Sequence, residues 1–425
     1  MFVIHNAIVN GDRRGWVAVE PPFIARVGSG DVPPDVIEGS DAAVDACGAM
    51  LLPGAIDAHV HFREPGLTHK ATIASESRAA LAGGVTSYIE MPNTVPQTTT
   101  LDAWHDKMER AAQTSAVNYS FMIGATADNL GELRRADPSL MPGVKVFMGS
   151  STGNMLVDDD SALRAIFAEQ PFRVTVHAED QSIVSAMGER YKDRTDIAAH
   201  SLIRPAEACV RATERAMQLA DRYGTRLHVA HVTTAAETHL FDPSDSPAGR
   251  QITAEVSPHH LIFSDADYAL LGARIKMNPS VKTAADRTAL RAALAEGRLD
   301  IVATDHAPHL LSEKDGDVWH AVSGAPMVQF SLPAMLDMYD AATVVARMCK
   351  GPAILYCIDR RGEIKPGYYA DLVLVERLAE SHTVSDDDVV SLCGWTPLAG
   401  RRLGHRVVRT WVNGGAAPMA LEFNQ

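Results

Sequence analysis

Short, nearly uninterrupted apolar runs recur through the middle of the chain, and each is followed by a polar loop and a helical pattern. Strands buried on both faces have this continuous Val/Ile/Leu character, and their alternation with helices predicts parallel βα units. The eight runs are residues 51–56, 85–89, 119–124, 143–147, 173–176, 226–230, 252–256 and 301–303. From His59 to Asp305 the chain covers about 250 residues, the usual size of an eight-stranded barrel. The pattern therefore predicts an α/β fold with a (β/α)8 TIM-like barrel.

The two ends of the chain carry a different pattern, with short β-like runs bounded by Gly, Pro, Asn and Asp. These runs are residues 2–9, 15–19, 23–27, 370–375 and 406–412. We expect them to pair in a small β-sandwich domain built from both termini. The predicted bounds are 1–50 and 363–425 for the two parts of this domain and 51–362 for the barrel. An open doubly wound sheet is the alternative, but the Gly-rich dinucleotide and phosphate-loop motifs are absent from the sequence.

Composition and charge narrow the class of protein. The 425 residues are 46% hydrophobic and 22% charged, as in ordinary globular proteins, and the formal net charge is −14. No apolar stretch is long enough for a membrane span, and the N-terminal residues do not resemble a secretion signal. The five cysteines contain no C-x-x-C pair, which argues against a disulfide framework or zinc finger. We expect a cytoplasmic protein with a small-molecule substrate and no nucleic-acid partner.

Candidate metal ligands lie at the carboxyl ends of the predicted strands, where barrel enzymes place their active sites. His59 and His61 are two residues apart on a strand and project to the same side, so both can reach one metal ion. An H-x-H pair alone is a weak signal. His177 follows the fifth run. After the sixth run, His228 and His231 face opposite sides, and we expect His231, at the strand end, to face the site and His228 to be structural.

A lysine, Lys145, interrupts the apolar fourth run. It could lie on an edge strand or extend its ammonium group to solvent. If it is buried, the lower pKa leaves a neutral amine, which can capture carbon dioxide as a carbamate. A carbamate supplies anionic oxygens that can bridge two metal ions. Four histidines, carbamylated Lys145 and one aspartate would then form a binuclear site suited to zinc.

The eighth run ends in A-T-D-H-A-P-H, residues 303–309. A carboxylate at this position can bind a metal and exchange a proton with an attacking water molecule. The alternative, an N-cap for a following helix, is weakened by Pro308. Asp305 is therefore the catalytic candidate.

An arginine, Arg63, follows the H-x-H motif. Because the net charge of −14 repels an anion at long range, a fixed guanidinium would have to supply a local, bidentate carboxylate site. The alternative is a surface ion pair with Glu64. Asn93 follows the second run and Pro92, and its alternative role is to end that strand.

Several strings in the sequence resemble the dihydroorotases of the amidohydrolase superfamily. The likeness covers most of the chain, from about residue 50 to residue 374. H-F-R-E-P-G and M-P-N-T are its specific parts, and the remainder is shared with allantoinases, hydantoinases and dihydropyrimidinases. The residues that carry it are D-A-H-V-H-F-R-E-P-G at 57–66, M-P-N-T at 91–94, Lys145, His177, His231, D-H-A-P-H at 305–309, G-E-I-K-P-G at 362–367 and A-D-L-V-L at 370–374.

The resemblance implies reversible hydrolysis of dihydroorotate to N-carbamoyl-L-aspartate, in de novo pyrimidine biosynthesis. It implies two metal ions, zinc by preference, bridged by carbamylated Lys145. His59, His61 and Asp305 would bind the more buried ion, and His177 with His231 the second. The residues implied for the substrate are Arg63, Asn93 and His309 for the carboxylate, Asn278 for the ring, and Ser323 and Gly324 for backbone contacts.

Two features depart from the common family pattern, and some questions stay open. Many bacterial members carry aspartate where Lys145 stands, and the loop 324–329 differs from the usual Gly-rich segment ending in glutamate. The alternative functions are a related cyclic amidohydrolase, allantoinase or hydantoinase/dihydropyrimidinase, and a non-catalytic dihydroorotase-like scaffold. The sequence leaves open a homodimer, an aspartate transcarbamoylase partner, and whether segments 150–154 and 310–324 are mobile loops over the site.

Overall fold

The structure is a computed structural model and describes residues 1–150, 155–169 and 171–424. Within these residues the strands are β1 Phe2–Val9, β2 Arg13–Glu20, β3 Phe23–Ser29, β4 Ala42–Asp45, β5 Met50–Pro53, β6 Ala55–Val60, β7 Val85–Glu90, β8 Asn118–Phe121, β9 Ile123–Gly124, β10 Val144–Phe147, β11 Val174–His177, β12 Leu227–Val229, β13 Ile252–Val256, β14 Ile301–Val302, β15 Leu372–Thr383 and β16 Arg402–Trp411.

The helices alternate with the barrel strands. Within the described residues they are α1 Pro34–Glu38, α2 Ile73–Ala82, α3 Leu101–Thr114, α4 Leu130–Arg135, α5 Asp160–Ala168, α6 Gln181–Arg190, α7 Ala199–Ile203, α8 Ala206–Tyr223, α9 Ala235–Thr238, α10 Pro258–Ile262, α11 Tyr268–Leu271, α12 Ala284–Ala295, α13 Ser331–Met338, α14 Ala341–Val345 and α15 Gly351–Leu355. None of these helices has both the length and the apolar character of a membrane span.

Strands from both ends of the chain form one hydrogen-bonded sheet. Its order is β16-β15-β5-β1-β2-β3, and β4 pairs with β1. The antiparallel pairing of β15 with β5, from Leu372 opposite Pro53 to Val375 opposite Met50, joins the C-terminal part to the N-terminal part. Buried side chains of this sheet, including Trp411, form a core of their own. The expected small β domain built from both termini is confirmed.

The remaining strands form the barrel. β6, β7 and β8 pair in parallel, and β9 to β14 form a second parallel sheet. Met122 alone separates β8 from β9 in the chain, and Val60 at the end of β6 bridges to His306 just after β14. The two sheets are thereby joined at both ends in a ring of parallel βα units, which confirms the predicted (β/α)8 class.

The first apolar run is divided between the two domains. Met50–Pro53 pairs with β1 and β15 of the terminal sheet, and the first barrel strand is Ala55–Val60. The prediction of one barrel strand over 51–56 is therefore wrong. Gly54 lies between the two strands, and a Cβ there would meet the Thr86 side chain at 2.2 Å. The domain bounds 1–50, 51–362 and 363–425 stay a prediction.

Although the barrel strands are mostly apolar in sequence, their successive side chains face opposite sides of the sheet. In β10, Val144 and Val146 pack in the main hydrophobic core, whereas Lys145 lies between them in sequence and faces the other way. The register places Lys145 beside Thr175 of β11, and Thr175 beside His228 of β12. Polar side chains therefore line one face of these strands and lead to the site at their carboxyl ends.

Candidate active site

The six predicted metal ligands line one pocket at the carboxyl ends of the barrel strands. His59 lies in β6, Lys145 in β10 and His177 at the end of β11, while the others follow directly after β6, β12 and β14. The pocket is narrow, with a cavity volume of about 20 Å³. Its lining residues are His59, His61, Lys145, Phe147, His177, His231, Asn278, Asp305, Ala307, Ser323 and Gly324.

One group of side chains in the pocket could hold a metal ion. Asp305 Oδ1 lies 3.1 Å from His61 Nε2 and 3.6 Å from His59 Nε2. The three side chains are buried, and their ligand atoms lie within 4.8 Å of one another. Lys145 Nζ is 3.5 Å from His59 Nε2, next to this group. Imidazole nitrogens and a carboxylate oxygen are the donors that zinc accepts in proteins.

A second group lies beside the first. His177 Nδ1 and His231 Nε2 are 2.9 Å apart, with their rings in a T-shaped arrangement. The ring of His231 is also 5.4 Å from that of His59, centroid to centroid. Both donor nitrogens therefore converge on one point near the first group, as a second metal ion would require.

Two carboxylates that sequence reasoning missed orient these imidazoles. Glu255 of β13 accepts from His59 Nδ1 at 2.5 Å and from His228 Nε2 at 3.0 Å. Glu179 accepts from His177 Nε2 at 3.0 Å and pairs with Arg204. Each bond leaves the other ring nitrogen of the metal-ligand candidate facing the pocket, which is how metal-binding histidines are held in proteins.

The ionised state of Glu255 and Glu179 suits them to accept hydrogen bonds from the imidazoles. Burial alone would raise the pKa of Glu255, but the imidazoles of His59 and His228 hold it well below its ordinary value. Burial also raises the pKa of Glu179, but Arg204 and His177 outweigh that effect and lower it to about 2. Both groups are therefore ionised acceptors at neutral pH.

His228 has a structural role, as expected. Its Nδ1 lies 3.0 Å from Thr253 Oγ1 and its Nε2 is bound to Glu255. The ring is fully buried below the pocket and does not line it.

Lys145 is fully buried in a strand that is paired on both sides, by β9 and by β11. This geometry excludes the edge-strand and solvent-directed alternatives. Burial lowers the pKa of Lys145 to about 8, an effect that the charges of Glu255 and Asp305 partly offset. A substantial fraction of the amine is therefore neutral at mildly basic pH.

Asp305 follows β14 in a left-handed backbone conformation, with φ of 47°. Asp57 fixes the preceding residue, because it accepts from the Thr304 amide at 3.0 Å and from its hydroxyl. Burial would raise the pKa of Asp305, but His59 and His61 hold it well below its ordinary value. No helix begins at Asp305 in the described part of the chain, so the N-cap alternative is not supported.

The predicted carboxylate-binding residues lie beside the pocket, in contact with its lining. Arg63 is buried, and its Nε donates to the Pro308 carbonyl at 2.9 Å. Its Nη2 lies 2.9 Å from His309 Nε2, and Lys70 Nζ lies 3.1 Å from His309 Nδ1. Asn93 Oδ1 accepts from His61 Nδ1 at 2.7 Å.

Arg63 and Lys70 both approach His309, and Lys70 also pairs with Glu313, whose Oε1 lies 2.7 Å from Nζ. A neutral imidazole accepts at one nitrogen only, so Arg63 and Lys70 cannot both donate to it. Among the described residues, no carboxylate lies within 4 Å of the Arg63 guanidinium. Glu64, its alternative partner, instead accepts from the Ile73 amide at 2.9 Å. A buried guanidinium that has no carboxylate partner among the described residues is suited to an anion.

The other predicted substrate residues line the pocket itself. Asn278 Oδ1 is buried and has no hydrogen-bond partner among the described residues. His200 Nε2 lies 2.7 Å from the Met277 carbonyl and His260 Nε2 lies 3.1 Å from the Pro279 carbonyl, so both neighbours of Asn278 are held. A Cβ at Gly324 would lie 2.8 Å from the Ala307 carbonyl oxygen, which favours glycine there.

The two segments predicted to be mobile differ in what the structure describes. Residues 151–154 lie outside the described residues. Segment 310–324 contains the buried Lys314, whose Nζ donates to the carbonyls of Val322 and Gly324 at 2.7 Å each and of Lys276 at 3.1 Å.

The two missed carboxylates carried signals in the sequence. Glu255 is a charged residue inside an apolar run, the same feature that identified Lys145. Glu179 stands two residues after His177, at a strand end. Neither signal specifies the ring that is contacted, because His59 and Glu255 lie 196 residues apart in the chain.

The barrel, with imidazoles, a buried lysine and a carboxylate converging at its strand ends, defines a hydrolase of the metal-dependent class. Residues 50–416 match the amidohydrolase family. A dihydroorotase of Halobacterium salinarum is 40% identical over 413 residues, which cover 94% of this chain and 92% of that protein. The chain belongs to the amidohydrolase family, and the resemblance seen in its motifs is confirmed.

Two other similar proteins are named for different activities. An allantoinase of Rubrobacter xylanophilus is 32% identical over 92% of this chain and 90% of its own. The L-hydantoinase (dihydropyrimidinase) from Arthrobacter aurescens is a solved structure with a TM-score of 0.90 and 28% identity, covering 97% of this chain and 95% of that one. Proteins similar to this chain therefore carry the names of three activities, and the activity of this chain has to be distinguished among them.

Proposed function

We propose that the protein catalyses the reversible hydrolysis of dihydroorotate to N-carbamoyl-L-aspartate, the dihydroorotase reaction of de novo pyrimidine biosynthesis. It is a metal-dependent hydrolase that acts on a carbon–nitrogen bond of a cyclic amide. The relative at 40% identity over nearly the whole chain carries this activity in its name. The family and the barrel-end pocket both support the reaction class.

The observation that carries the choice of substrate is the buried Arg63. Its guanidinium has no carboxylate partner among the described residues and lies next to His309 and Lys70. Dihydroorotate bears a carboxylate beside its ring, whereas dihydrouracil does not. Arg63, His309 and Asn93 would bind that carboxylate, which would give the buried guanidinium an anionic partner.

Two divalent metal ions, zinc by preference, would be held by the residues that line the pocket. His59, His61 and Asp305 would hold one ion, His177 and His231 the other, and Lys145, as its carbamate, would bridge them. When bound, such ions polarise a carbonyl and lower the pKa of water from 15.7 to about 7. The donor set and the orientation of the rings by Glu255, Asn93 and Glu179 support this assignment.

Asp305 would move the proton during ring opening. Its ionised carboxylate takes a proton from the attacking water as the carbon–oxygen bond forms. It then gives that proton to the ring nitrogen as the carbon–nitrogen bond breaks. Asn278 Oδ1 would accept from a ring N–H, and Ser323 and Gly324 would offer backbone groups to the ring. Ring closure is the reverse sequence.

Assay of the purified, zinc-loaded protein on dihydroorotate, allantoin and dihydrouracil tests the proposal. We expect turnover of dihydroorotate above the other two. Arg63→Ala should raise KM for dihydroorotate most, because dihydrouracil lacks the carboxylate. Faster turnover of allantoin or dihydrouracil by the wild type would contradict the proposal. A loss of equal size on dihydroorotate and dihydrouracil would show that the carboxylate site lies elsewhere.

The same purified protein also distinguishes two other functions. Allantoinase or hydantoinase/dihydropyrimidinase activity is the nearer alternative, since relatives of both kinds match most of the chain. A non-catalytic dihydroorotase-like scaffold would show no metal and no turnover at high enzyme concentration. The proposal places the protein in the cytoplasm. A homodimer and an aspartate transcarbamoylase partner are further predictions, which light scattering alone and with that enzyme would check.

A further inference from the structure

A buried ion pair lies between the end of β7 and the helix α3. Lys107 Nζ contacts Glu90 Oε2, and both side chains are fully buried. The ammonium group also lies 4.8 Å from the centre of the Phe121 ring. Neither residue lines the pocket, and the hydrolytic chemistry uses neither of them.

Each partner also binds backbone next to a carboxylate-binding candidate. Glu90 Oε1 accepts from the Phe62 amide at 3.1 Å, and Phe62 directly precedes Arg63. Lys107 Nζ donates to the Met91 carbonyl at 3.1 Å, and Met91 lies two residues before Asn93. The pair thus joins the end of β6 to the end of β7.

The backbone at Arg63 requires such support. Its φ of 68° lies in the left-handed region, which a residue with a side chain adopts only when its surroundings hold it there. Glu90, which accepts from the amide of the preceding residue, therefore supports the backbone that positions the guanidinium.

Stability alone does not explain why this pair is present. Taking two charges out of water is expensive, and an apolar pair of similar volume is often as stable or more so. Burial accordingly raises the pKa of Glu90 and lowers that of Lys107, although each partner opposes the shift of the other. The feature that an apolar pair could not supply is the bonding to Phe62 and Met91.

We propose that Glu90 and Lys107 are positioning residues for the substrate carboxylate site. The pair holds Arg63 and Asn93, which come from different strand ends, at the spacing that one carboxylate needs. The inference rests on the proposed function, because it assumes a substrate with a carboxylate. It assigns the pair a part in substrate binding and none in the bond-breaking step.

The test uses two double variants of the zinc-loaded, full-length protein. Glu90→Leu with Lys107→Met removes both backbone contacts, and Glu90→Gln with Lys107→Met keeps the acceptor for Phe62. We expect KM for dihydroorotate to rise about tenfold in the first variant and less in the second. We expect kcat and zinc content to stay near the wild-type values in both.

The matched control is a second buried ion pair, Arg361 with Asp371, which directly precedes β15. Arg361→Met with Asp371→Leu removes two buried charges at a place that contacts neither Arg63 nor Asn93 in the described residues. Its KM should equal that of the wild type. An equal rise of KM in the control would overturn the inference, as would wild-type KM in both double variants of Glu90 and Lys107. A fall of kcat together with loss of bound zinc in those variants would overturn it too.

Failure of the proposed function gives a different result. In that case the wild-type protein itself does not turn over dihydroorotate, whatever the variants do. Should the leucine variant not fold, the glutamine variant decides, since glutamine keeps the size and the accepting oxygen of Glu90. Wild-type KM in that variant would then overturn the inference, because Lys107→Met alone breaks the link between Glu90 and the Met91 carbonyl.

Discussion

Asp305 is proposed to accept a proton from the attacking water. It lies within 3.6 Å of two imidazoles, and their proximity keeps its pKa well below the ordinary value despite burial. Asp305→Asn keeps the shape of the side chain but cannot accept a proton. We expect kcat to fall by about 10³-fold or more while most of the zinc is retained. Dihydroorotate assay and metal analysis check this, and equal activity would refute the role.

Lys145 predicts a pH dependence of carbamate formation. With a pKa of about 8, half of the amine is neutral at that pH, against about 0.3% for an ordinary lysine. The neutral fraction rises with pH, so carbamylation should be faster near pH 8.5 than near pH 6.5. Carbon-13 NMR of the metal-free protein in labelled bicarbonate measures it, with Lys145→Ala as the control. A signal of the same size in the control would contradict this prediction.

At the residue scale, sequence predicted the residues that end a strand and missed the residues that orient them. His59, His177 and Asp305 were found because the carboxyl ends of barrel strands meet in space. Glu255 contacts His59 across 196 residues of sequence, and no local pattern specifies that contact. The roles of the six ligand candidates stay predictions, although the structure brings all six to one pocket.

At the element scale, two buried lysines, Lys314 and Lys276, bond to the backbone of the segment 310–324 at the barrel mouth. Lys314 donates to three carbonyls, and two of these belong to Val322 and Gly324 of the same segment. Lys276 also donates to the Ala321 carbonyl. Composition predicted a loop here, but the bonds that hold it depend on the tertiary structure.

Removing Lys314 should loosen the segment. Lys314→Met leaves three buried carbonyls without their donor, and we expect the free energy of unfolding to fall by about 2 kcal/mol. Hydrogen exchange within 310–324 should accelerate, and KM for dihydroorotate should rise. Lys192→Met, at an exposed position, is the control. Unchanged exchange in 310–324 would show that Lys314 does not hold the segment.

Element boundaries were less predictable than element types. The run 51–56 looks like one strand, yet Gly54 divides it between the terminal sheet and the barrel. Both halves are buried and apolar, so hydrophobicity alone cannot assign them to different sheets. The pairing of β5 with β15 depends on residues more than 300 positions away, which a local pattern does not contain.

At the scale of the whole molecule, the C-terminal part reaches the barrel mouth. Between β15 and β16, the fully buried Trp395 donates through its Nε1 to the His309 carbonyl at 2.7 Å. It packs with Met277 and Ala325, which flank pocket residues in sequence. Trp411, at the end of β16, instead packs within the terminal sheet.

These two tryptophans should differ in their effect on function. Each Trp→Ala change should lower the free energy of unfolding by about 3–5 kcal/mol, because each side chain is buried. Only Trp395→Ala should also raise KM for dihydroorotate, since it alone contacts the carboxylate-binding cluster. Thermal unfolding and steady-state kinetics on the folded protein check this. An equal change of KM in both variants would contradict the assignment.

The proposed reaction requires two metal ions at the barrel mouth around Lys145. A crystallographic anomalous difference map at the zinc edge tests this most directly. We predict two peaks, one among His59, His61 and Asp305 and one between His177 and His231, with density for a carbamate extending from Lys145 between them. A map without peaks at these residues, or with an unmodified Lys145 beside a single peak, would contradict the account.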